Sequence, residues 1–288
     1  MGVRTIGSFL LALGAGVLLA GCSARSTADR AAASNSATRL ITLVPSFADD
    51  AYAIGAGALL VAVSSYTDAP RAKSLPRVAD ASSVDDEAIV ALRPTVVIGI
   101  PAQARLTEPL RRAGIRVVLL ADDSFASIFE NLRRIGALTG HTREAEATIA
   151  RLRRDTMRLH ARTAYFPHHP SVFVVLGSGP IWTAGAASYI STLIDLAGGT
   201  NAADDLHMAY GVYSAEALVR RQPDMLVADA AVHLSGALDR EPWRSLSAVR
   251  LHRVYDVDPK IIERPGPAYN EGVKWLLNRI APLASAAP

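Results

Sequence analysis

The sequence predicts an α/β protein of two lobes. Each lobe is built on a mostly parallel β-sheet flanked by helices, and one long helix joins them. Three observations lead there. Short runs of aliphatic and β-branched residues alternate with helix-length segments, the pattern of a parallel sheet covered on both faces. One unit occurs twice: residues 87–98 read Glu-Ala-Ile-Val-Ala-Leu-Arg-Pro-Thr-Val-Val-Ile, and residues 216–227 read Glu-Ala-Leu-Val-Arg-Arg-Gln-Pro-Asp-Met-Leu-Val. Each is a helix, a proline that ends it for want of an N–H, and a strand apolar enough to be buried on both faces. One copy per half predicts two similar lobes, and two lobes can hold a ligand between them. The third observation is the highly charged helical pattern of residues 141–164, whose thin apolar stripe is Leu152, Met157 and Leu159. A helix polar over most of its girth suits a strut between domains.

In chain order, residues 1–21 read as a targeting segment. Arg4 supplies positive charge, and residues 6–20 are an apolar and glycine run too short for a comfortable membrane span. It ends in Leu19-Ala20-Gly21-Cys22, which resembles a bacterial lipobox. The resemblance implies cleavage before Cys22 and a lipid on that residue, the only cysteine in the chain, so no internal disulfide is expected. The alternative is an ordinary secretory signal with an incidental cysteine. Residues 22–38, rich in Ser, Ala, Asn, Thr and Arg, read as a flexible tether.

The N-terminal lobe is expected over residues 39–140. Its strands fall at 39–44, 60–64, 95–100 and 116–120, and its helices at 47–54, 106–113 and 125–138. Gly55 and Gly140 stand where helices should end. After the strut, the C-terminal lobe covers residues 165–288, with strands at 171–176 and 252–257, a helix at 189–196, a loop at 200–213, a helix or turn at 243–249 and a closing helix at 270–280. Ser83 and Ser214 are the expected N-caps of the two repeated helices.

The 288 residues are half apolar, enough for a sizeable core, and the net charge of +3 comes from scattered arginines, with no basic block to favour nucleic acid. The sequence holds no Gly-x-Ser-x-Gly, Walker loop, His-Glu-x-x-His or Cys-x-x-Cys. His160, His168 and His169 cluster near the end of the strut, where a solvated turn is the simpler reading than a metal site. The acidic pairs Asp49-Asp50, Asp85-Asp86, Asp122-Asp123 and Asp204-Asp205 read as caps. No matched acid and base stands out, so no catalytic residue or cofactor is expected.

Over residues 39–282 the chain resembles class III substrate-binding proteins of ABC importers, the vitamin B12, haem and siderophore binders. The marks are Arg39-Leu-Ile-Thr-Leu-Val-Pro-Ser46, Gly55-Ala56-Gly57, Leu75-Pro76-Arg77-Val78, the repeated unit, and Ala197-Gly198-Gly199-Thr200-Asn201. Val63-Ser64-Ser65-Tyr66-Thr67-Asp68 and Glu263-Arg264-Pro265-Gly266-Pro267 look like the cobalamin-binding branch. The chain departs from that branch at Ala81 and Ile100, where tryptophans are expected. It also has Trp182 for phenylalanine and Tyr210 for tryptophan. The resemblance implies a lipid-anchored receptor, in the periplasm or at the cell surface, handing a corrinoid, haem or ferric siderophore to an ABC permease and its ATPase. A monomer is the plain expectation.

A large planar ligand needs aromatic walls and a few orienting polar groups. Tyr66, Trp182 and Tyr210 fall in loops that should line the crevice of an open parallel sheet, and Phe47 and Tyr213 are further candidates. Packing inside its own lobe is the alternative for each. Arg264, on a proline- and glycine-constrained loop, is placed to meet a ligand phosphate, carboxylate or amide oxygen, or else to make an internal salt bridge. The resemblance puts Glu87 and Glu216 on the outer surface, one per lobe, as docking points for permease arginines. Both also stand in first helical turns, where a negative charge is favoured. The rival readings are a metal-dependent enzyme on the same scaffold and a surface adhesion or sensor protein.

Overall fold

Five parallel strands make the first sheet: β1 (Leu40–Thr42), β2 (Leu60–Ser64), β3 (Arg77–Ala79), β4 (Val96–Gly99) and β5 (Val117–Leu119). The computed structural model describes residues 38–285, so the targeting segment, Cys22 and most of the tether lie outside the described residues. The sheet order is β3-β2-β1-β4-β5. The chain builds outward from β1 in one direction, then returns to its other side, so the loops after β1 and β4 diverge and leave a crevice. Helices α1 (Pro45–Ala53), α2 (Asp86–Ala91), α3 (Glu108–Arg112) and α4 (Phe125–Thr139) connect and cover the strands. Gly140, at φ +76°, ends α4 in the left-handed conformation that glycine adopts without steric cost.

α5 (Thr142–His160) then leads to the second lobe. Its buried residues, Ala145, Thr148, Ile149, Leu152, Thr156 and Leu159, recur at helical spacing. The stripe is therefore broader than Leu152 and Leu159 alone suggest, because alanine and threonine complete it. Met157 lies off it and is 71% exposed. Thr148 donates to the Ala53 carbonyl of α1 at 3.2 Å, and Thr156 bonds the Tyr269 hydroxyl and the Asn270 side chain. The helix is thus packed against both lobes along one side.

The second lobe holds β6 (Ser171–Val175), β7 (Gly177–Ser178), β8 (Ile181–Ala184), α6 (Tyr189–Leu196), β9 (Thr200–Asn201), β10 (Tyr210–Val212), α7 (Ala215–Arg221), β11 (Met225–Asp229), α8 (Ser247–Arg250), β12 (Val254–Val257), α9 (Pro259–Ile262) and α10 (Tyr269–Ser285). Its parallel sheet runs β12-β11-β6-β9, with the reversal between β6 and β11. A small antiparallel sheet, β10-β8-β7, accompanies it.

The repeated unit folds alike in both lobes: α2 then β4, and α7 then β11. Ser214 caps α7 by accepting from the Ala217 N–H at 3.2 Å. The cap of α2 is Asp85, which accepts from the Ala88 N–H at 2.9 Å, in place of Ser83. The expected loop at 200–213 contains β9 and β10.

Candidate functional site

The strands of both sheets end toward loops that carry the polar and aromatic candidates. In the first lobe, β2 runs into Ser65-Tyr66-Thr67-Asp68. Thr67 N–H donates to the Ser64 carbonyl at 3.1 Å, and the two hydroxyls meet at 3.0 Å. That buried turn leaves Tyr66 projecting, 61% exposed. After β5 come Asp122 and Asp123, on a loop pinned by Asn131, which donates to the Ala121 carbonyl at 2.8 Å.

The second lobe supplies an apolar wall. β8 and β10 pair antiparallel, with Trp182 opposite Val212 and Ala184 opposite Tyr210. Directly opposed residues, and residues two apart, share a face of a sheet, so Trp182, Val212 and Tyr210 stand on one side. Thr183 points the other way and donates to the Val174 carbonyl at 2.6 Å, which ties the ribbon to the main sheet. Gly177 is opposite Trp182 on the other flank. A Cβ there would stand 3.2 Å from the tryptophan Cβ, so glycine leaves the indole its room.

Trp182, Tyr210, Leu176, Glu263, Asp122 and Asp123 line one cavity of about 400 Å3 between the lobes. Glu263 and Asp122 are both half-buried. Burial, reinforced by Asp229, raises the Glu263 carboxyl to about 7. Burial, reinforced by Asp123, raises Asp122 to about 6. The same carboxylates add to burial in pushing the Tyr210 phenol up to about 12.

The Glu263–Pro267 loop separates two environments. Glu263 and Pro265 face this cavity, whereas Arg264 and Gly266 face a second one of about 550 Å3, with Asp49, Arg71 and Lys260. The buried Tyr189 hydroxyl donates to the Arg264 carbonyl at 3.4 Å and holds the loop in place. The Arg264 guanidinium is committed to Asp68 at 2.9 Å and Asp49 at 3.3 Å, and Lys260 meets Asp68 at 2.7 Å. Of the two readings of Arg264, the ion pair is the one seen.

The expected site residues therefore separate. Trp182 and Tyr210 come together in the cleft, and Tyr66 stands exposed on the facing lobe. Phe47 does not reach the cleft. It has no exposed surface and packs in the main core, because position 47 lies on the inner face of α1. Tyr213 is also buried, tilted against Phe173 at 5.3 Å, with its hydroxyl donating to Asp205 at 2.9 Å. Tyr213 follows Val212 directly, and alternation along the ribbon turns it inward. Glu87 and Glu216 are exposed in the first turns of α2 and α7. Nothing in the sequence alone marks Val212, Asp122, Asp123 and Glu263 as site residues, beyond the position of the pair Asp122-Asp123 directly after a buried strand. His160 and His169 turn toward the carbonyls of Leu196 and Gly198, at 3.4 and 2.9 Å. No group of three or more metal-ligating side chains occurs among the described residues.

Residues 40–261 match the model of a family described as periplasmic binding protein. The ABC transporter substrate-binding lipoprotein YvrC of Bacillus subtilis is 29% identical over 253 residues, covering 85% of this chain and 80% of its own. The crystal structure of the periplasmic vitamin B12-binding protein BtuF of Vibrio cholerae superposes with a TM-score of 0.73 at 27% identity, covering 86% of this chain and 98% of that one. A periplasmic haem-binding protein of Pseudomonas aeruginosa gives 0.76 at 26% identity, covering 87% and 94%.

Proposed function

The chain belongs to the periplasmic binding protein family, and from that premise we propose that it is a lipid-anchored receptor that captures cobalamin or a related corrinoid between its lobes. A substrate-binding protein of an ABC importer is a transport component. The proposal adds the cargo, the anchor and the docking points.

The observation that carries the cargo is the wall of Trp182, Val212 and Tyr210 on one face of the β8/β10 ribbon. A rigid apolar face of that kind suits a large flat macrocycle. The relatives bind vitamin B12 in one case and haem in another. Haem presents anionic propionates and asks for a free cation, yet Arg264 is committed to Asp49 and Asp68. Corrinoids carry neutral amides around the ring and make no such demand.

In this reading residues 1–21 are removed, Cys22 carries the lipid, residues 22–38 tether the lobes of residues 39–140 and 165–288, and residues 141–164 link them. Glu87 and Glu216 dock onto arginines of the permease, one carboxylate per lobe, each held on a capped helix. Calorimetric titration of the full chain in detergent with cyanocobalamin, cobinamide, haemin and a ferric siderophore tests the cargo. Corrinoid binding at micromolar affinity or tighter is expected. Binding of haemin or the siderophore alone would replace the corrinoid with that class.

A further inference from the structure

The charge of the cleft is set by carboxylates alone. Asp122 and Asp123 enter from the first lobe and Glu263 from the second, beside the rings of Trp182 and Tyr210. No lysine, arginine or histidine lines this cavity among the described residues. Several acidic groups elsewhere on the molecule have cation partners. Asp68 takes Arg264 and Lys260, Asp204 and Asp205 take Arg221, and Glu108 takes Arg111 and Arg112. In the cleft, the charges acting on Glu263 and Asp122 are other carboxylates, Asp229 and Asp123, and burial raises both groups.

Glu263 carries a further sign of an absent partner. Its Oε1 is buried and accepts no hydrogen bond from the protein. A buried acceptor left unmet adds to the cost of keeping the Glu263 carboxylate charged, a cost that a cation in the cleft would offset. The cavity is a binding cleft by its aromatic wall and its place at the strand ends. The carboxylates decide which sign of charge it accepts.

We propose that the cleft selects cationic and N–H-rich macrocycles over anionic ones, with Glu263 and Asp122 setting the preference. A positive ligand donates a charge-assisted hydrogen bond to Glu263 and is attracted to the faces of Trp182 and Tyr210. A ligand with two carboxylates meets three more in the same cavity and is repelled. The choice of a corrinoid as the macrocycle rests on the function proposed above, but the sign of the charge does not.

Cobinamides separate charge from shape, because at pH 8 the same ring is singly positive with one water and one cyanide and neutral with two cyanides. Two metal-free porphyrins of one size, one bearing four N-methylpyridinium groups and one four carboxylates, offer no metal for a side chain to coordinate. Titrations of the full chain at pH 8 with both sets are expected to rank aquacyano- over dicyanocobinamide, by about tenfold or more. The cationic porphyrin should bind and its anionic counterpart should not. Glu263→Gln and Asp122→Asn, close in shape to the native residues, should flatten both rankings without lowering the melting temperature. Equal or reversed rankings, or a cleft that takes neither porphyrin, overturn the proposal. Loss of all cobinamide binding beside retained preference for the cationic porphyrin would instead overturn the corrinoid reading and leave the charge selectivity standing.

Discussion

Arg264 of the second lobe donates to Asp68 of the first at 2.9 Å, and the two residues lie 196 positions apart in the chain. Burial alone would raise the Asp68 carboxyl. Hydrogen bonds from Lys260 and Arg264 outweigh it and hold the group at about 2. The pair joins the lobes beside the cleft.

Breaking that pair should loosen the molecule. Arg264→Ala leaves the half-buried Asp49 without its cation, whereas the more exposed Asp68 keeps Lys260 at 2.7 Å. A stability loss of about 1–2 kcal/mol is expected in urea unfolding, below the value for a fully buried charged bond because solvent reaches both side chains. A double-mutant cycle with Asp68→Ala should show coupling. Additive effects would mean that the bridge contributes nothing to joining the lobes.

Trp182 and Phe47 should respond in opposite ways to removal. Trp182→Ala takes away an exposed ring, so ligand affinity should fall by about 2 kcal/mol, roughly thirtyfold, with little change in melting temperature. Phe47→Ala opens a cavity in the core and should cost about 3–5 kcal/mol of stability. Val212→Ala is expected to weaken binding more modestly. Unaltered affinity in the Trp182 variant would remove the aromatic wall from the site.

The cleft carboxylates predict a pH dependence with a definite sign. Asp122 and Glu263 have folded values of about 6 and about 7, above the ordinary carboxylate range. Between about pH 4 and 7 the folded protein therefore holds protons that the unfolded chain has released, and stability from these groups falls as pH rises through that window. Asp68, lowered to about 2, contributes a constant term there. The ligand-free protein should melt at a higher temperature at pH 5.5 than at pH 8. Its affinity for a cation should move the other way, weakening on acidification as Glu263 and Asp122 gain protons. The double variant Asp122→Asn, Glu263→Gln should lose the affinity trend and weaken the stability trend, of which Asp49, Asp50 and Asp86, also raised by burial, supply the remainder.

Reversing Glu87 or Glu216 to arginine should leave the ligand Kd unaltered, since each side chain is exposed in a first helical turn and neither lines the cleft. Association with the cognate permease in nanodiscs should weaken by about tenfold or more for each substitution, as expected for a like charge set against a basic patch. Equal binding by both variants would return the two glutamates to a purely local role at their helix starts.

The large elements were legible because their signals are local. β2 is a five-residue strand, four of them apolar, with a glycine-rich turn before it, and α6 begins at Tyr189 and ends before Gly198 as its pattern requires. β3, β7, β8, β9 and β10 escape because runs of two to four residues carry no period to read. The site was legible in part. Trp182 and Tyr210 signal a wall by type and position, but nothing local distinguishes them from Phe47, whose burial depends on what packs against α1. Asp122 and Asp123 read as caps because their meaning comes from Glu263 across the cleft, a neighbour that only the folded chain supplies. Arg264 shows the same limit, since its partners Asp49 and Asp68 lie in the other half of the sequence.

The stripe along α5 has a consequence for how the protein comes apart. One apolar cluster runs from Leu40 and Phe47 through Ile149 and Leu152 to Val172, Tyr269 and Ile280 without a break between the lobes. Each half also has a closed cluster of its own, around Ile41 and Val97 in the first lobe and around Phe173 and Trp243 in the second, but the shared cluster uses the same helix as its lid. Separated at that helix, one fragment would keep α5 and the other would expose the flank that α5 covers. The two lobes should therefore melt in a single cooperative transition, with the seam between them among the last contacts to open.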